Sequence, residues 1–358
     1  MLVYALAAVQ LVVTSGWMAY AQFQPKLLER FGLTELASPL ALYLGLTGSI
    51  LSPAVGWLGD RVARRGKARV PIMATGGLLA GATFVAVALT TAVHLVGAFR
   101  WLLVGLIALW VAAMTVLQAP ALSLIPATAR PERWPVATAP LVVATVLPIA
   151  VWPFVREALD RSGGPLVFAA GGVAVVIATL ALRRTANASV AAVPKPVRPG
   201  VSGLLRVGIG AALVAFILGS VSALVTQLAG VVVPGILAAR VGGGEAARGV
   251  IAAIPLGISA VVAPSVAPLT VASGKQVPLV ASVVTAIVCG LAASLCGSIL
   301  TATIVAVLTG GALAVFLDCA LPFAFELLPS NAFGLSSGLY LGGAFAGSRL
   351  LSALVTRL

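Results

Sequence analysis

Two acidic residues carry most of the chemistry this chain can offer. Asp318 lies within a long apolar run, where an unpaired charge is costly, and is the candidate for proton coupling. At 1.5 Å per residue it stands ~8–9 Å from the end of its helix. Asp60 belongs to Gly56-Trp57-Leu58-Gly59-Asp60-Arg61-Val62-Ala63-Arg64-Arg65-Gly66-Lys67, a compact basic stretch between two apolar segments. Its carboxylate can pair with Arg64 or Arg65. Gly56 and Gly66 permit close helix approach and a tight turn, and the basic side chains Arg61, Arg64, Arg65 and Lys67 can bond the unpaired carbonyls at a helix C-terminus.

Neutral polar and aromatic side chains form a second group. Gln10, Thr14, Trp17, Tyr20 and Gln24 fall in the first apolar run, Trp110 and Gln118 in the fourth, and Gln227 in the seventh. Polar groups are expensive in lipid and tend to face a cavity. Amides, hydroxyls and aromatic faces suit a small polar solute that needs hydrogen bonds and a stacking surface. Ser220, Ser222 and Thr226 are weaker candidates, because a hydroxyl can bond its own helix backbone.

Other chemistry has little support. The three cysteines, Cys289, Cys296 and Cys319, lie in apolar runs, and the one histidine, His94, sits in a connection. They suggest neither a disulfide framework nor a metal-ligand set. No phosphate-binding glycine loop, nucleophile elbow or metalloprotease motif appears, so neither a cofactor nor an enzyme activity is expected.

The elements that must position these residues follow from composition. The 358 residues are 61% hydrophobic and 9% charged, with mean hydropathy +1.14. A soluble domain carries roughly 25% charged residues; this chain cannot cover a water-facing surface and is a polytopic membrane protein, with the lipid bilayer as its partner. Crossing the hydrocarbon takes ~20 apolar residues as helix. Spans are expected near 2–22, 37–58, 70–92, 97–121, 135–155, 165–182, 204–234, 248–270, 277–297, 299–323 and 333–356. The first reads as a retained helix, because it lacks a basic leader and a small-residue cleavage site.

The net charge of +13 would raise nucleic acid as a partner in a soluble protein. Here the cations sit in short connections and set topology instead. With the N-terminus inside, thirteen fall in cytoplasmic connections: Arg61, Arg64, Arg65, Lys67, Arg69, Arg130, Arg133, Arg183, Arg184, Lys195, Arg198, Arg206 and Lys275. Seven fall outside: Lys26, Arg30, Arg100, Arg156, Arg161, Arg240 and Arg248. The excess fits an N-terminus in the cytoplasm.

The polar stretch 183–202 contains Pro194-Lys195-Pro196-Val197-Arg198-Pro199, an extended spacer. It divides the chain into an N-terminal bundle at 1–182, a linker at 183–202 and a C-terminal bundle at 203–358. The halves echo one another. Ser52-Pro53-Ala54-Val55 followed by Gly66-Lys67-Ala68-Arg69-Val70-Pro71 is matched by Ala263-Pro264-Ser265-Val266 followed by Gly274-Lys275-Gln276-Val277-Pro278. Pro120 and Pro126 are matched by Pro322 and Pro329. Both matches give an offset of about 200–210 residues, as a parallel duplication would.

The Gly56–Lys67 stretch, set between two spans, resembles the signature loop of the major facilitator superfamily. Pro25-Lys26-Leu27-Leu28 with Phe31-Gly32-Leu33, Val116-Leu117-Gln118-Ala119-Pro120 with Ile125-Pro126, and Leu321-Pro322-Phe323-Ala324-Phe325-Glu326-Leu327-Leu328-Pro329 with Gly334-Leu335-Ser336-Ser337-Gly338 are similar to the proton-coupled sucrose-type sugar transporters and their glycoside–pentoside–hexuronide relatives. The chain departs from that pattern at Ser123, where an acid is usual, and in having no legible twelfth span after Arg357. The resemblance implies an all-α major facilitator fold of two six-helix-type bundles in parallel repeat, with a path lined by spans one, four, seven and ten. It also implies that Asp60 meets the start of span eleven around Asn331–Gly334. The expected function is secondary active transport of a small polar solute, such as a sugar, by alternating access with a proton as coupling ion. The alternatives are an exporter of amphipathic compounds on the same fold and a non-transporting membrane protein.

Overall fold

The computed structural model describes residues 1–65, 69–93, 100–191, 208–241 and 245–355. Without water to satisfy backbone groups in hydrocarbon, each apolar run closes its own hydrogen bonds as helix. The elements are α1 (Leu2–Arg30), α2 (Ala37–Arg64), α3 (Val70–Ala92), α4 (Arg100–Leu122), α5 (Trp134–Ser162), α6 (Gly164–Ala191), α7 (Ile209–Gln227), α8 (Val233–Val241), α9 (Glu245–Ser273), α10 (Gln276–Ala293), α11 (Ile299–Leu327) and α12 (Phe333–Val355). A π-turn, Leu228–Val232, joins α7 to α8 in one continuous span. A helix lies at each of the eleven expected positions, in order, and no strand occurs among the described residues.

Ten of these segments are long and apolar enough to cross a membrane. Several outrun their sequence-based limits: α1 has 29 residues, ~43 Å of helix, enough for the hydrocarbon core and the headgroup layers. In the polar stretch after span six, α6 continues through Ala191, so 183–191 are helical; 192–202 lie outside the described residues, as do His94, Gly66 and Lys67.

Packing gathers the first helices around α1, α3 and α4: α1 lies on α5 and α6, and α3 on α4 and α6. In the second half α11 packs on α7, α9 and α10. Two long seams join the halves, α2 against α12 and α5 against α9. These seams frame everything below, because any motion of one half against the other must slide or open them.

Candidate functional site: a latch and an aromatic cluster between the halves

The α2–α12 seam can be tight because it is built on glycine. A Cβ on Gly56 would stand 1.9 Å from the Gly334 carbonyl oxygen. With no side chain in the way, the C-terminal end of α2 reaches the N-terminal end of α12. The first amides of α12 have no partner within their own helix, and Asp60 supplies one. Its carboxylate accepts from Gly334 N–H at 2.9 Å and Leu335 N–H at 2.7 Å. The negative charge also complements the positive end of the helix.

The cation on Asp60 is Arg69, not Arg64 or Arg65. Arg69 Nη2 lies 2.6 Å from Asp60 Oδ1, and Nη1 donates to the Ser123 carbonyl and hydroxyl at 3.4 and 3.3 Å. The correction has a geometric cause. Arg64 and Arg65 end α2 itself, whereas Arg69 opens α3 and can turn back across the loop. Arg64 stays close enough to act on Asp60 electrostatically, while Arg61 lies over the Trp57 ring at 5.4 Å. Asp60 is 1% exposed. Ser337 Oγ adds a donation to the Ala119 carbonyl at 2.8 Å, tying α12 to α4 at the same end of the bundle.

The second half has a related device. Lys275, which precedes α10 as Arg69 precedes α3, is in contact with Glu326 at the end of α11 and donates to the Pro131 carbonyl at 2.8 Å. It also lies 5.1 Å over the Trp134 ring. Lys275 thereby bridges α11 and the connection leading into α5. Glu326 takes the place that Ser123 holds in the first half, so the second half makes an ion pair where the first makes hydroxyl and carbonyl bonds.

Away from this latch, α1, α4 and α12 meet in an aromatic cluster. The Trp17 and Trp110 rings are 4.7 Å apart, Tyr20 and Trp110 5.2 Å, and Trp17 and Phe345 5.8 Å. Phe84 of α3 stacks behind Trp110 at 4.4 Å. Trp110 and Tyr20 are 1% and 3% exposed, yet Trp110 Nε1 and Tyr20 Oη have no hydrogen-bond partner among the described residues. The structure therefore brings Trp17, Tyr20 and Trp110 together.

The other candidates lie apart from it. Gln118, buried on α4 ~12 Å further along the helix, also has an unpartnered Oε1. Gln10 donates to Thr14 at 3.5 Å along α1, and Gln24 is half-buried. Gln227 is half-buried at the last position of α7, next to the π-turn. The serines and threonine of α7 are already occupied: Ser220 donates to the Phe216 and Gly343 carbonyls, Tyr340 donates to Ser222 Oγ at 2.8 Å, and Thr226 donates to the Ser222 carbonyl. Asp318 is 0% exposed, and neither carboxyl oxygen has a partner among the described residues. Thr138 of α5 donates to its backbone carbonyl at 3.1 Å, which places it at the α5–α11 contact between the halves.

No family model and no curated protein matches the sequence. Solved structures do. The human organic anion transporter MFSD10 (TETRAN) superposes with TM-score 0.68 at 14% identity, over 99% of this chain and 93% of its own. A bacterial homologue of the iron transporter ferroportin, in an outward-facing state, gives TM-score 0.73 at 16% identity, over 100% and 92%. The chain has the major facilitator fold. Gly56–Arg64 form the C-terminal part of α2 rather than a loop, Gly66 and Lys67 lie outside the described residues, and the aromatic cluster sits where α1, α4 and α12 converge.

Proposed function

We propose that the protein is a membrane transporter that carries a small solute by alternating access. The observation that carries this reading is the Asp60 latch, in which one carboxylate from the first half holds two backbone amides of the second. Bonds of this kind close one end of a path between the halves, and opening that end requires breaking them as a unit. By the count of basic residues the latched end is cytoplasmic, so the conformation is outward-facing. Similarity to a transporter solved in an outward-facing state supports the same assignment.

The solute site in this reading lies on the Trp17–Tyr20–Trp110 cluster, with the Gln118 amide deeper on α4. Rings that stack and polar groups without partners suit a solute with both a flat face and hydrogen-bonding atoms, a sugar among them. Asp318, enclosed at a contact between the halves and without a cation among the described residues, supports a proton as coupling ion, because an isolated carboxylate is expensive to bury.

A second reading, export of amphipathic compounds, is favoured by a separate feature. A cavity of about 640 Å³ between α1, α5 and α6 is lined by Leu11, Val12, Val151, Trp152, Leu166 and other apolar side chains. An apolar groove of that size suits an apolar body better than a polyol.

Uptake into proteoliposomes tests both. A panel of sugars and amphipathic solutes is offered with and without an imposed proton gradient. Saturable, gradient-stimulated sugar uptake supports the first reading; transport confined to amphipathic solutes supports the second. Absence of any vectorial transport by folded protein would overturn both.

A further inference from the structure

α5 and α6 both lie along α1 but scarcely touch each other. Gly163, at φ 82°, turns the chain from one into the other. Away from that turn the two helices stay apart, and α1 floors the groove of about 640 Å³ between them. Gly16 and Ala19 of α1 give the floor little bulk; Trp152 and Leu159 of α5 face Leu166 and Ala170 of α6 across it. Leu147, Val151 and Leu166 on its rims are exposed, so the groove opens sideways, toward hydrocarbon. Along α5 it runs from Leu147 to Ser162, ~22 Å at 1.5 Å per residue. A bilayer with its headgroup layers is ~40–45 Å thick, so the groove is one leaflet deep. That leaflet is the one away from the latch. Trp134, at the other end of α5, lies 5.7 Å from Phe333, the neighbour of Gly334.

No charged residue lines the groove, and the Ser162 hydroxyl donates to the Ala158 carbonyl at 2.9 Å. Hydrocarbon is what fits. An empty groove would forfeit the dispersion contacts of its walls, and the bilayer offers acyl chains along its open side. The outer end supplies a cation. Arg156 stands one turn beyond Trp152 toward the headgroup level and is exposed. It makes none of the ion pairs among the described residues, whereas Lys26 is held by Asp160 and Arg161 by Glu157. We infer that the groove binds one phospholipid of that leaflet, with an acyl chain between α5 and α6 and the phosphate on Arg156. Guanidinium is suited to phosphate because its planar fork matches two oxygens in parallel bonds. The groove also reaches Phe84, which stacks on Trp110 at 4.4 Å. The bound chain therefore backs the aromatic cluster.

This assigns to a resident lipid the groove that the amphipathic-export reading offers to a solute, and the experiment separates the two. The full chain is reconstituted in vesicles of phosphatidylcholine brominated near the chain ends, then extracted into lipid-free detergent. Bromine quenches indole fluorescence on contact, and extraction dilutes away the lipid that merely surrounds the protein. Quenching at Trp152, read as the difference between the parent chain and Trp152→Phe, should persist after extraction. Native mass spectrometry should find one phospholipid held per chain. Ala170→Phe, which fills the groove from its α6 wall, should remove both signals. Arg156→Gln, a surface change, should lower the retained lipid about fivefold, the weight of one cation at a lipid surface. Val173→Phe, on exposed α6 surface outside the groove, should change neither. Loss of Trp152 quenching on extraction with no lipid retained, or retention unchanged in both Ala170→Phe and Arg156→Gln, would overturn the inference. Release of the lipid by an amphipathic solute that the protein also transports would overturn it in favour of the export reading. Lipid retained by protein that moves no solute would support the site and remove the transporter reading alone.

Discussion

Asp60 and Leu335, 275 positions apart in the chain, meet at 2.7 Å, with the carboxylate of α2 accepting the amide proton of α12. The same carboxylate accepts from Gly334 and faces Arg69. One side chain thus serves both a helix end and a buried cation, so its loss exposes both at once.

Asp60→Asn keeps the shape and removes the charge. Arg69 is then left buried without its counter-ion, a loss of about 3 kcal/mol on the scale of broken buried pairs. A cysteine replacing the fully buried Ala332 beside the latch should gain reactivity toward a bulky, water-soluble maleimide. Unchanged labelling would show that Asp60 does not hold this end closed.

Gly56→Val places a side chain where the Gly334 carbonyl now stands. Overpacking of this kind costs about 1–3 kcal/mol and forces α2 and α12 apart. Its effect on labelling at the same cysteine should match that of Asp60→Asn, and the double variant should fall short of the sum, because both changes open one contact. Strict additivity would mean that the glycine contact and the carboxylate act separately.

Lys275→Met tests the related device in the second half. Glu326 is 41% exposed, so the ion pair itself contributes at most about 1 kcal/mol. The bond to the Pro131 carbonyl and the position over Trp134 add to it. The fall in melting temperature should be smaller than for Asp60→Asn, with Lys275→Arg restoring most of it. A larger fall than for Asp60→Asn would make this the principal tie at that end.

Asp318→Asn separates coupling from carriage. If Asp318 carries the proton, gradient-driven uptake of any transported solute should be lost while solute exchange across the membrane persists. Retained gradient stimulation would remove Asp318 from the coupling role. Loss of exchange with an unaltered melting temperature would place it in the solute path instead.

The order and positions of the helices were legible because each span must be apolar over the width of the bilayer, whatever it packs against. The latch was half legible. Gly56 and Asp60 stood out by type and position and the resemblance implied the start of α12, but Arg69 rather than Arg64 or Arg65 is the partner. Sequence distance favours the nearer arginines; the turn into α3 favours the farther one. Hydroxyls on α7 looked available until the packing of α12 consumed Ser220 and Ser222.

Composition alone determined that this chain is a helical membrane protein, since 9% charged residues cannot clothe a soluble domain of 358 residues. It also placed Asp60 and Asp318 among the few groups costly enough to need a purpose. Tertiary structure decided what each one meets. Asp60 found two amides and an arginine, Asp318 found no partner among the described residues, and Arg349 came to pack its aliphatic stem on Gly45 of α2. A helix fixes which residues share its face, but only the packing of α12 on α2 and α7 fixes which faces meet.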